Sequence, residues 1–178
     1  MPMITYTAFD ITITPFIRAL TGMKHQLQKA EEFCTARKAD STKLLQDRII
    51  FDQFPLVKQI QIATDIAKRI GGFLAGMEVP AYQDTETTFA DVYARIDKTI
   101  EYLKSIPAEK MTMSPETVIP MSWMPTKGLP AKDMALIYSV PNFYFHCTLT
   151  YEIMRKNGVE LGKGDYLWQL PLVDVTQA

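Results

Sequence analysis

Apolar residues recur at spacings of three and four over four stretches of the chain, which predicts four amphipathic helices. The first runs from about Ile4 to Lys38, with Phe16, Ala19, Leu20, Met23, Leu27, Ala30 and Phe33 along one side. Its opening, Tyr6 to Thr14, is rich in Thr and Ile and taken alone reads as a strand. Pro15 either opens a helix behind Thr14 or kinks one already running. The second helix runs from about Gln53 to Leu74, with Pro55 in its first turn, and stops at Gly76. Leu56, Ile60, Ala63, Ala67, Ile70 and Leu74 form its stripe, and the central alanines let a neighbour approach closely. In the third, Phe89, Val92, Tyr93, Ile96, Ile100 and Leu103 keep the same rhythm behind a capping box of Thr88 and Asp91. The fourth runs from about Lys132 to Lys156 and is stopped by Asn157-Gly158. Val140, Phe143, Tyr144, Cys147, Tyr151 and Met154 share one face, while Tyr138, Phe145 and Leu149 lie roughly opposite. A helix apolar on both sides is covered twice, and Pro141 inside it predicts a kink.

Between helices three and four, Ala108 to Leu129 holds Pro115, Pro120, Pro125 and Gly128 and is not helical. Thr117, Ile119, Met121 and Trp123 alternate with other residues, which predicts a short β-hairpin laid over the bundle. The tail with Gly162, Gly164, Tyr166 and Trp168 is expected to fold back over the bundle end. The expectation is one all-α domain over residues 1–178, a four-helix bundle. The second face of helix four is covered either by hairpin and tail or by a second copy, a homodimer through that helix.

Composition narrows the function. Lys and Arg total 19 against 20 Asp and Glu, without the basic excess that nucleic acid or an anionic membrane demands. No apolar run reaches the length of a membrane helix, and the first twenty residues lack an early basic cluster and are interrupted by Asp10 and Pro15, unlike a signal peptide. A cytoplasmic location is expected, with Cys34 and Cys147 buried and reduced. No G-x-S-x-G, P-loop, dinucleotide-binding or Glu-x-x-His pattern occurs. Gly71-Gly72 lies inside a helix with the wrong spacing for phosphate.

The chain has only two histidines, so no single chain can assemble a three-histidine metal site. His25, among Lys24, Gln26 and Lys29, is expected to face solvent. His146, on the flank of the main stripe of helix four, is either a general base at the bundle core or a structural histidine held by hydrogen bonds. Asn142, four residues earlier, shares its side of the helix, and could instead satisfy backbone opened by Pro141. On helix two, Gln59 leans toward the apolar stripe and Gln61 sits at the opposite flank. Asp65 points away, to solvent or to Lys68 or Arg69. A small-ligand site between helices two and four would use Gln59, Asn142 and His146 as polar groups and Tyr144, Tyr151 and Trp123 as walls.

The run Pro141-Asn142-Phe143-Tyr144-Phe145-His146, continuing through Thr148, Tyr151 and Arg155 to Asn157-Gly158-Val159 and Gly162-Lys163, resembles a DinB-like family of bacteria and fungi defined only as a domain of unknown function. Phe54-Pro55-Leu56 with Gln59-Ile60-Gln61-Ile62-Ala63, and Asp84-Thr85-Glu86-Thr87-Thr88-Phe89, resemble it too. The resemblance implies an up-down-down-up bundle, often a homodimer, with a long crossover expected in the hairpin-bearing connection Ala108–Leu129 between helices three and four. Better-studied relatives hold a divalent metal with one histidine on helix two and two on helix four, and several transfer or isomerise with a small thiol. Here only His146 answers to such a ligand, which leaves a degenerate metal site and no cofactor. Three readings follow: a metal-independent small-ligand protein, a non-catalytic dimeric scaffold, or a divergent metal-dependent transferase or hydrolase.

Overall fold

The computed structural model of the chain describes residues 4–121 and 123–175. Four long helices carry the fold: α2 (Ile13–Ala36), α4 (Leu56–Leu74), α5 (Phe89–Lys104) and α7 (Val140–Lys156). Short helices α1 (Ala8–Ile11), α3 (Ser41–Leu45), α6 (Ala131–Asp133) and α8 (Lys163–Leu167) flank them. The Thr- and Ile-rich opening is helical, not extended. Thr7 and Asp10 form a reciprocal capping box that starts α1, and the chain re-enters helix at Ile13. The same device starts α5, where the Asp91 amide donates to Thr88 Oγ1 at 3.2 Å and the Thr88 amide to Asp91 Oδ2 at 2.9 Å.

Helix directions follow from which residues meet. Lys24 pairs with Asp97 and Glu31 with Tyr93, so α2 and α5 are antiparallel. Arg95 reaches Thr64, and Gly71 faces Leu103, so α4 and α5 are parallel. Phe16 stacks on Phe143 and Gly158 abuts Phe33, so α2 and α7 are parallel. The order is therefore up-down-down-up, around a core of apolar residues such as Phe16, Leu27, Ile60, Ala67, Ile96 and Phe143. Two parallel neighbours need a return the length of the bundle, and residues 75–88 supply it between α4 and α5. The hairpin-bearing connection, residues 105–130, joins the antiparallel α5 and α7. Its strands β1 (Val118–Met121) and β2 (Met124–Pro130) are antiparallel, with Ile119 opposite Leu129. Among the described strand residues only Ile119 is buried in the core.

Pro141 is accommodated by a local change of pitch. Six residues before α7, Met134–Ser139, form a π-helical turn that leads straight from α6 into α7. Proline cannot donate to the carbonyl four residues back, and a widened turn avoids that clash. The paired glycines of α4 are packing devices. A Cβ at Gly71 would stand 2.8 Å from Ile13 Cδ1 and 2.9 Å from Ile106 Cδ1, and one at Gly72 would collide with Tyr102 and Val79. The tail does not cap the bundle end. It lies along the middle of α2, where Gly22 would bring a Cβ within 2.8 Å of Trp168 Cβ. His25 is accordingly half-covered rather than open, stacked at 4.2 Å on Trp168 and 3.3 Å from Asp165.

Candidate functional site

The first turns of α4 and the middle of α7 cross at Gln59 and His146. Pro55 stands at the N-cap of α4 and makes no side-chain cap, and Gln59 sits one turn inside. Gln59 Nε2 donates to the Phe54 carbonyl at 2.9 Å, and Gln59 Oε1 lies 2.7 Å from His146 Nδ1. A carbonyl oxygen only accepts, so the amide orientation is fixed by Phe54. Oε1 is then an acceptor, which places the imidazole proton on Nδ1 and the lone pair on Nε2. His146 is 7% exposed, and burial lowers its pKa from 6.5 to about 4. It is neutral at pH 7. Nε2 has no partner among the described residues and is not sealed from solvent. Phe145 meets the imidazole edge-on at 5.2 Å, and both Phe145 and Phe54, whose carbonyl anchors Gln59, are 56% exposed.

The other sequence candidates scatter around the bundle. Asn142 is half-buried on the same side of α7 and lies beside the Tyr138 hydroxyl. Trp123, on the hairpin, stacks at 5.2 Å on Tyr138 over a small cavity of about 70 Å³ that Arg69 and Phe73 also line. Tyr144 points the other way. It packs against Phe16 of α2 and lines a cavity of about 320 Å³ with Arg18, Met23, Gln26 and Tyr166. Two residues of helix turn the chain by about 200°, so Tyr144 and His146 cannot face one pocket. Tyr151 donates to the Leu161 carbonyl at 3.3 Å and meets Tyr166 edge-on, again on the tail side. The structure thus brings Gln59 to His146, and it places Tyr144 and Tyr151 with α2 and the tail.

Sequence reasoning passed over Arg95, whose side chain has six polar partner residues among those described. It is 1% exposed on α5. Nε donates to Thr64 Oγ1 at 2.8 Å. Nη1 meets Glu86 Oε1 at 2.9 Å, Asp84 Oδ1 at 3.0 Å and the Gln83 carbonyl at 3.3 Å. Nη2 meets Asp65 Oδ1 at 2.8 Å and the Gln61 carbonyl at 3.4 Å. All five guanidinium protons are engaged. Asp65 also takes Lys68, as the spacing along α4 allows, and Gln61 donates to Glu86 at 2.8 Å. Tyr82 lies under three cations, Lys68, Lys98 and Arg95, at 3.8, 4.0 and 5.4 Å. Burial alone would raise Asp84 and Glu86. Lys58 and Arg95 outweigh it at Asp84, as Arg95 and Gln61 do at Glu86, so both carboxyls lie below the usual range. This cluster pins the return 75–88 to the groove between α4 and α5. Its acidic oxygens are spent on the guanidinium.

A three-histidine metal site does not fit these residues. The group that faces His146 from α4 is an amide whose two ends are already used, and imidazole Nδ1 carries a proton toward it. Among the described residues no group of three or more His, Cys, Asp and Glu could hold a metal ion. Cys34 and Cys147 are free and buried, and burial pushes the Cys147 thiol up. No helix among the described residues is long and apolar enough to cross a membrane.

Comparison with known proteins agrees with this architecture. The crystal structure of a DinB family member from Shewanella denitrificans is similar at 35% sequence identity and a TM-score of 0.89, covering 93% of this chain and 94% of that one. No curated protein matches. The family model for a domain of unknown function, DUF1993, matches residues 8–167. With that match over most of its length, the chain belongs to the DinB-like DUF1993 family.

Proposed function

We propose that the protein binds a small molecule at the seam of α4 and α7 and that His146 is its base, without a three-histidine metal site. The observation behind this reading is the tautomer: Gln59 holds the Nδ1 proton, so a neutral imidazole offers the Nε2 lone pair outward at physiological pH. The lowered pKa keeps the ring wholly unprotonated at pH 7, where an ordinary imidazole is about a quarter protonated. It also makes Nε2 a weaker base, which serves first as a hydrogen-bond acceptor. Phe145 meets the imidazole edge-on and gives the seam an apolar flank, and Asn142 sits one turn before His146.

The test is a thermal-shift screen of small-molecule fragments on wild type and His146→Ala, with ¹⁵N spectra of the imidazole. Spectra should show the proton on Nδ1 down to about pH 5. At least one fragment should stabilise wild type and not the variant, while His146→Ala itself costs about 1–2 kcal/mol from the orphaned Gln59 oxygen. Fragments that stabilise both proteins equally would refute the assignment of His146.

A second reading rests on the exposed rings. Phe145, edge-on to His146 on α7, and Phe54, just before α4, are both more than half exposed, and a second copy laid on α7 would cover Phe145. A homodimer through that face is expected to sediment as one species that Phe145→Glu converts to monomer. Monomeric wild type at tens of micromolar would remove this reading, and with it the scaffold function.

A further inference from the structure

The 320 Å³ cavity on the far side of α7 from His146 has its own polar inventory. It runs along α2 beneath α8 and the chain that follows. Ala19 and Met23 form its floor, Cys147 of α7 one wall, and Leu167 and Leu170 the other. Gln26 closes one end. Its Nε2 donates to the Asp165 carbonyl at 3.1 Å, which fixes the amide and leaves Oε1 as an acceptor. That oxygen is fully buried and has no hydrogen-bond partner among the described residues, in a side chain only 3% exposed. A buried acceptor of this kind is met by an ordered water or, after a small shift of the amide toward the cavity it lines, by a donor from a bound molecule. Toward the other end lies Arg18, half-buried, with no ion pair or hydrogen bond among the described residues. Asp10 shares that mouth, but its Oδ2 is taken by the Thr7 amide and hydroxyl of the α1 cap. The Tyr144 hydroxyl lines the wall between, also without a partner among the described residues.

We infer that this cavity is a binding site for a medium-chain carboxylate that carries a hydrogen-bond donor at its far end. The carboxylate pairs with Arg18, the chain lies on Ala19, Met23 and Cys147, and the terminal donor satisfies Gln26 Oε1. Arg18 and Gln26 are eight residues apart on one helix, about 12 Å along the axis, which sets the separation of the two polar ends. A guanidinium selects the carboxylate and an amide carbonyl selects the donor, while the apolar wall between them accepts methylenes. This site is separate from the α4–α7 seam and stands or falls without it.

The test uses 8-hydroxyoctanoate, octanoate and 1-octanol in calorimetric titrations of the full chain, with [¹³C-methyl]methionine labelling to follow Met23. The hydroxy acid should bind saturably and shift the Met23 methyl. Octanoate and octanol should each bind about tenfold more weakly, since octanoate leaves the buried Gln26 oxygen without a donor and octanol leaves the half-buried Arg18 without an anion. Gln26→Leu should erase the difference between hydroxyoctanoate and octanoate. Arg18→Gln should erase that between hydroxyoctanoate and octanol. Because Gln26 also holds the tail, Trp168 fluorescence checks that α8 stays docked, and Arg18→Gln gives the result independently of it. Absence of saturable binding and of a Met23 shift up to millimolar concentration overturns the proposal. So does equal binding of the three probes, which would mean an apolar groove that reads neither end.

Discussion

Replacing Arg95 by alanine lowers stability by about 3–5 kcal/mol and releases residues 75–88 from the bundle. The guanidinium is enclosed, so its removal leaves Glu86 Oε1 and the Thr64 hydroxyl oxygen without a donor in a place water reaches poorly, although Gln61 still holds Glu86 Oε2. Asp65 and Asp84 are more open and lose less, because their charges are partly solvated. The cost falls on the crossover first. Residues 83, 84 and 86 are held to the groove by Arg95, with Lys58 adding an ion pair to Asp84 at 2.5 Å and Tyr82 adding its ring. Arg95→Lys keeps the charge, loses the fork that reaches both α4 and the crossover, and recovers less than half of the loss. The measurement is denaturant unfolding, with hydrogen exchange over residues 75–88 to locate the damage. Unchanged exchange there, in a variant that is destabilised, would show that the cluster is not what holds the crossover.

This cluster also marks where sequence reasoning ended. The rhythm Val92, Ile96, Ile100, Leu103 identified the buried face of α5, and the capping box at Thr88 placed its start at the observed residue. Arg95 directly precedes Ile96 on the flank of that stripe, and an arginine there reads as a solvated neighbour unless its partners are known. Those partners lie nine to thirty-four residues away on two other elements. The available signal was Asp84 and Glu86 upstream of the helix, two carboxylates beside an apolar Phe89. Gln59 and His146 were legible because each leans toward the stripe of its own helix, and two polar groups on facing stripes have only each other to satisfy. Tyr144 and Tyr151 were drawn into the same pocket by chemical appeal, although a helical wheel already separates them from His146. The five residues of α3 are too few to show a period, and the π-turn before Pro141 depends on packing, not on a local pattern.

Acid should destabilise the protein in two stages that different residues control. The His146 pKa is about 4 in the fold against 6.5 for the free side chain, so between these values the unfolded chain binds a proton that the folded chain refuses. Stability therefore rises with pH across that window. The contribution of His146 is fully present above about pH 6.5 and is lost as pH falls toward 4. Water at Nε2 reduces the full linkage, which leaves a loss of about 2 kcal/mol by pH 4 and a melting temperature lower by about 5 °C. The second stage lies below about pH 4.5, where Asp84 and Glu86 take up protons in the unfolded chain before the folded one, because the Arg95 cluster depresses both. A double variant, His146→Leu with Gln59→Leu, separates the stages. It removes both members of the buried pair and leaves no orphan between them, while the half-exposed Phe54 turns its carbonyl to water. Its stability should be close to wild type at pH 7 and higher than wild type at pH 5, with the acid limb below pH 4.5 retained. Denaturant midpoints measured from pH 8 to pH 3.5 decide the matter. A wild type whose midpoint is level from pH 7 to pH 5 would mean that the imidazole is not held neutral by the seam, and the base assigned to His146 would lose its physical ground.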